Sequence, residues 1–120
     1  MITETKVFTQ AEFDAFARLS GDDNPIHVDP IFAAKTRFGR TVAHGMFLYS
    51  TICRLLNRHF PEAIQLEQQL MFPVPTFADE PMEIRISIKE KTEQKLIVLT
   101  QILNEAGNLT CDGESTLIYG

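Results

Sequence analysis

The stretch Ser-Gly-Asp-Asp-Asn-Pro-Ile-His-Val-Asp-Pro, Ser20 to Pro30, gathers three aspartates, an asparagine and an imidazole into a short segment. Asp22 and His27 could do acid/base work if they faced one point. On a continuous helix, five positions would turn them about 140° apart. Pro25 disfavours helix at Asn24, and Asn-Pro initiates turns, so this segment can fold back on itself. Taken singly, Asp22, Asp23, Asn24 and His27 read as turn residues and a satisfied partner. A second cluster follows, Arg40 to Met46, in which Gly45 opens an apolar run. The first N–H groups of a helix lack internal partners and suit an anion or a developing oxyanion. Glycine there lets a ligand come close to the backbone; a helix start needing a small residue is an equally good reading. Together, an acid/base pair and an oxyanion donor are what addition of water across a conjugated double bond requires. The donor polarises a carbonyl, the β-carbon becomes electrophilic, a base takes a proton from water, and an acid delivers one to the α-carbon.

The elements that must position these groups are legible. Thr9 and Glu12 form a capping box, Phe13, Phe16 and Ala17 an apolar stripe, and Gly21 a helix stop, immediately before the polar segment. Asp29 and Pro30 suit the N-cap and first position of a short second helix, closing near Gly39. From His44 to about Arg58 the chain is apolar around most of its circumference, which predicts a buried helix, ended by Pro61. Arg54, Arg58 and His59 collect at its C-terminal end, where cations suit the dipole. After Pro61 the period changes to that of strands. The segment from Ala63 begins strand-like, Met82, Ile84, Ile86 and Ile88 alternate with polar residues, and the Lys95–Leu103 run is apolar on both faces, hence central. Asn104 to Gly107 makes a turn before a last strand. With a first strand near Thr3 to Phe8, the order is strand, three helices, four strands: an α+β fold, with an antiparallel sheet able to bury one apolar helix.

The 120 residues suit one domain, 1–120, with 44% hydrophobic and 22% charged residues, as in ordinary globular proteins. A net charge of −5 argues against nucleic-acid or anionic-membrane partners. No run approaches the roughly 18 to 20 apolar residues of a membrane span, and the first ten residues carry no apolar signal core. Cys53 and Cys111 are too few for a disulfide framework. The expectation is a reduced, cytoplasmic protein.

Phe16 to Met46, with Ser-Gly-Asp-x-Asn-Pro-x-His and the downstream His-Gly-Met, resembles the MaoC-like R-specific enoyl-CoA hydratase family (hydratase 2). The resemblance implies a hot-dog fold, in which an antiparallel sheet wraps a long central helix. It implies hydration of trans-2-enoyl-CoA to (R)-3-hydroxyacyl-CoA, or the reverse, by a lyase. Position by position it places the catalytic aspartate on Asp22, the histidine on His27 and the oxyanion amide on Gly45. Asn24 would buttress the loop and His44 the helix start. Cys53 aligns where some hydratases have serine. Ala78 to Met82 departs from the family's usual Gly-Asp hairpin and puts Pro81 at a strand start, where proline is tolerated.

The family further implies a homodimer with an acyl tunnel near its seam. Phe47, Leu48, Ile52, Leu66 and Leu70 are candidate liners, each also readable as ordinary core. Coenzyme A or an acyl carrier protein would bring phosphate to Lys35, Arg37 and Arg40, or to Arg85 and Lys89, all of which also read as a solvated face. There is no glycine-rich phosphate loop, and no metal or other cofactor is expected. Two rivals stay open: a hot-dog acyl-CoA thioesterase, which would not need Asp22 and His27 at this spacing, and a non-catalytic acyl-thioester-binding hot-dog, which would need none of the three site residues.

Overall fold

A computed structural model of the chain describes residues 1–119. Strand β1 (Ile2–Val7) leads into helix α1 (Gln10–Ser20), followed by two short helices, α2 (Pro25–Val28) and α3 (Pro30–Ala34). The long helix α4 (Gly45–His59) precedes β2 (Ile64–Met71), β3 (Pro81–Lys91), β4 (Lys95–Leu103) and β5 (Leu109–Ile118). All pairings are antiparallel, in one five-stranded sheet of order β1-β3-β4-β5-β2.

Local chemistry explains these boundaries. The Thr9 side chain accepts from the Glu12 amide and Glu12 reaches back to the Thr9 amide, completing the capping box. Gly21 stops α1 in the left-handed region at φ 79°. β4 is the central strand, as its two apolar faces require: Leu96, Val98, Thr100 and Ile102 are buried on one side and Ile97 and Leu99 half-buried on the other. Pro81 begins β3 opposite Val7, at the strand start where its missing N–H is tolerated.

The concave face of the sheet packs on α4. Leu48, Ile52, Leu55 and Leu56 join Ile84, Ile86, Val98, Ile102 and Cys111 in one buried cluster. The helix is nevertheless one-sided, not buried all round: Met46, Ser50, Arg54 and Asn57 are exposed at helical spacing. Apolar composition alone overstated its burial, because an uncovered apolar residue such as Met46 reads the same in sequence as a covered one. The polar segment is also more ordered than a turn, since α2 is a helical turn whose N-cap is Asn24.

Asp79 is the one non-glycine residue with positive φ among the described residues, at 66°. Its amide donates to the Phe8 carbonyl at 2.7 Å, which fixes the bend before β3. The left-handed region costs an L-residue about 1–2 kcal/mol, somewhat less for aspartate, and glycine gives part of that relief back as unfolded-state entropy. Asp79→Gly should therefore raise stability by up to about 1 kcal/mol, read as a higher denaturation midpoint at unchanged slope. A lower midpoint would mean that the carboxylate holds the bend.

Candidate active site

Three segments converge on the polar side chains: the α1–α2 turn, α2, and the extended stretch before α4. Asn24 Oδ1 accepts from the Ile26 amide at 3.0 Å and so starts α2, while Asp29 caps α3 through the Ile31 and Phe32 amides. The Val42 amide donates to the Ile26 carbonyl at 3.1 Å. In return, His27 Nδ1 lies 2.8 Å from the Val42 carbonyl. A carbonyl only accepts, so Nδ1 carries the hydrogen and neutral His27 keeps its lone pair on Nε2. Gln10 Nε2 donates to the His27 carbonyl at 2.9 Å and ties α2 to α1.

His27 Nε2 and Asp22 Oδ2 stand 3.7 Å apart. That is long for a direct hydrogen bond and suits one water bridged to both. The Asp22 side chain is 57% exposed and that of His27 14%, so solvent reaches the pair from the aspartate side.

His44 completes the arrangement. Its Nε2 donates to the Asp22 backbone carbonyl at 2.8 Å, and its ring stacks on His27 with centroids 3.8 Å apart and planes 22° from parallel. Phe16 packs on it at 4.8 Å. Burial pushes His44 below its ordinary value of 6.5; the hydrogen bond to Asp22 opposes this, and a charge on His27 adds to it. The lowered value favours the neutral ring of His44 in this stack. In the linkage sign, the folded state binds fewer protons than the unfolded one, so this contribution to stability is full above about pH 6.5 and is lost as the pH falls below it. Denaturant midpoints at about pH 7.5 and 5.5 should differ more in the wild type than in His44→Asn. Equal differences would remove His44 as the source.

The donor atoms of Asp22, His27 and His44 lie within 4.8 Å of one another. They make a poor chelate. Stacked rings direct their in-plane lone pairs along nearly parallel planes, whereas zinc needs ligands converging at about 2.0–2.1 Å, and His44 Nε2 is already spent on Asp22.

Immediately after His44, Gly45 opens α4. The His44 side chain makes no cap hydrogen bond, so the first amides of the helix stay available. A cavity of about 290 Å³ adjoins them, lined by Gly45, Leu48, Phe72, Thr76 and Arg37 among others.

The other sequence candidates scatter. Leu48 reaches the cavity, but Phe47 packs among Phe8, Phe13 and Phe16, and Ile52 is fully buried in the core. Both were candidate tunnel liners; Ile52 is instead a core residue, and Phe47 is half-buried against the core, covered by the aromatic rings of Phe8 and of α1. Leu66 is exposed: a bulge between Gln65 and Glu67 turns it outward on edge strand β2, while Leu70 is half-buried against the core. Cys53 does not join the site. It lies about 12 Å along the helix from Gly45, and its thiol donates to Gln65 Oε1 at 3.7 Å. Arg40 is paired with Glu80 and lies over the Phe77 ring, Arg85 is paired with Glu83, and Lys89 with Glu114. Arg37 borders the cavity, and Lys35 is exposed at the end of α3.

Sequence reasoning missed Val42, Gln10, Phe72 and Thr76. Nothing local marks Gln10, and Val42 contributes only a carbonyl. The Phe-Pro-Val-Pro run at 72–75 was a visible signal that a rigid strap follows β2.

The family profile described as "MaoC like domain" matches residues 2–108. This chain belongs to the MaoC-like family. The protein is 38% identical over 117 residues to an (R)-specific enoyl-CoA hydratase from Aeromonas caviae, covering 94% of this chain and 87% of that relative. It is 36% identical to a mitochondrial 3-hydroxyacyl-[acyl-carrier-protein] dehydratase from Arabidopsis thaliana, covering 98% of this chain and 74% of the relative. The solved structure of the (R)-hydratase from A. caviae involved in PHA biosynthesis superposes with a TM-score of 0.93 at 35% identity, over 99% of this chain and 93% of that one. The MaoC-like protein therefore has the hot-dog fold of the R-hydratases. Among the described residues, no helix is long and apolar enough to cross a membrane.

Proposed function

We propose that this MaoC-like protein hydrates trans-2-enoyl thioesters to (R)-3-hydroxyacyl thioesters and runs the reverse dehydration. The observation that carries this reading is the 3.7 Å gap between Asp22 Oδ2 and the lone-pair nitrogen of His27, one residue-stack away from the open end of α4. The hydratase and dehydratase relatives support it independently.

In this reading the thioester carbonyl accepts a hydrogen bond from the Gly45 amide, which draws electron density from the β-carbon. A water held by the Asp22 carboxylate gives a proton to His27 Nε2 as its oxygen bonds to the β-carbon. The acid/base pair returns one proton to the α-carbon, so the elements of water add across the double bond. Val42 keeps the His27 ring in the required tautomer and Gln10 keeps its backbone in place. The steps call for no metal and no cofactor beyond the thioester's own carrier, coenzyme A or an acyl carrier protein, whose phosphate would meet Arg37 at the cavity mouth. Nucleic acid and membrane have no part in it.

The protein acts as a homodimer in this account. Ile64, Leu66 and Met71 leave edge strand β2 apolar and open, and a second copy would cover them. With Cys53 and Cys111 both free thiols, the compartment is a reducing one, the cytoplasm.

Crotonyl-CoA separates this reading from a thioesterase. Loss of the enoyl ultraviolet absorbance without release of free thiol is the expected result. Thiol release would make the protein a thioesterase, and neither change with any enoyl thioester would make it a binder.

A further inference from the structure

The space in front of Gly45 is bounded by an aromatic ring. A Cβ placed on Gly45 would meet Phe72 Cε2 and Cζ at 2.7 Å. In a helix the Cα–Cβ direction tilts toward the N-terminus, the same end to which the first N–H groups point. The Phe72 edge therefore stands on the side from which a carbonyl must approach the Gly45 amide. The cavity between them carries a further mark of a polar occupant: Thr76 is buried, and its hydroxyl has no hydrogen-bond partner among the described residues. The remaining walls are mostly apolar, from Phe38, Leu48 and the Pro73–Pro75 strap.

Resting on the hydratase reading, we infer that Phe72 is a specificity-determining residue that admits 2-enoyl thioesters unsubstituted at the α-carbon and rejects α-branched ones. A carbonyl oxygen bonded to the Gly45 amide at about 2.9 Å holds its α-carbon close behind it. The α-carbon of an unbranched enoyl carries only hydrogen beside the ring. An α-methyl group needs the volume that the ring fills. Phe72 sits past the end of β2 on the rigid proline-flanked strap, so the ring has no free loop on which to swing aside. Thr76 lines the same cavity, held beside the start of α4 by the Ala43 amide, which donates to its carbonyl at 2.8 Å.

The test compares kcat/KM for crotonyl-CoA and 2-methylcrotonyl-CoA in the wild type, Phe72→Ala and Phe72→Leu. The intrinsic effect of the methyl group on reactivity cancels when the ratio is compared between proteins. One misfitting methyl group is worth about 10- to 200-fold. Phe72→Ala should therefore shift the ratio toward the branched substrate by at least about 10-fold, with Phe72→Leu between it and the wild type. Phe72 is 44% exposed, so both variants should fold, which circular dichroism checks. Should Phe72→Ala not fold, the Phe72→Leu ratio decides alone. A ratio unchanged in folded variants that still hydrate crotonyl-CoA overturns this inference and leaves the hydratase reading standing. A wild type that hydrates neither thioester overturns both.

Discussion

Replacing His27 by alanine, or Asp22 by asparagine, should lower kcat for enoyl-thioester hydration by at least about 10²-fold, because each removes one half of the water-activating pair. His27 supplies the basic nitrogen, and alanine leaves nothing to receive the proton. Asparagine at position 22 keeps the shape but turns a two-oxygen acceptor into a group with one oxygen and a donor. Neither change should unfold the chain. The Asp22 side chain makes no bond that holds the fold, since His44 is anchored by the Asp22 backbone carbonyl, which asparagine retains. His27→Ala loses the bond to Val42, but the Val42 amide still holds the Ile26 carbonyl and Gln10 still holds the backbone of residue 27. Circular dichroism should stay close to wild type while turnover falls, with melting unchanged in Asp22→Asn and lowered in His27→Ala by the lost bond and ring stack. A folded variant with wild-type kcat would remove that residue from the mechanism.

Gly45→Ala should cost about 10²-fold in kcat/KM, the scale of one lost oxyanion donor. Helix propensity alone does not oppose the substitution, since alanine is the better helix former. The ring of Phe72 reverses that preference. A methyl group 2.7 Å from two ring carbons forces either the ring into the cavity or the first turn of α4 away from it. Both movements spoil the approach to the Gly45 amide. The collision is relieved if Phe72 is also truncated, so Gly45→Ala/Phe72→Ala should recover part of the loss in both activity and melting temperature. Strict additivity of the two single effects would mean that the residues do not meet, and would detach the oxyanion role from this wall.

The fold was largely legible because its signals are local. The Thr9–Glu12 capping box, Gly21 as a stop, the alternation along β3 and the two apolar faces of β4 are each contained within one element. The candidate pair Asp22 and His27 was legible for the same reason, five positions apart on a turn-forming segment. What escaped depends on contacts that close long loops. The tautomer of His27 is set by a carbonyl 15 residues away. The wall at Gly45 comes from a phenylalanine beyond β2, and the Thr76 hydroxyl is buried without a partner among the described residues only in the folded chain. The outward turn of Leu66 follows from a bulge, and the core placement of Phe47 from three phenylalanines on β1's end and α1.

A crystal structure with an unreactive 2-enoyl thioester analogue bound would examine the central arrangement directly. The carbonyl oxygen should lie about 3 Å from the Gly45 nitrogen, with the β-carbon facing the gap between Asp22 Oδ2 and His27 Nε2. A carbonyl bonded elsewhere, or a β-carbon turned away from that gap, would contradict the account.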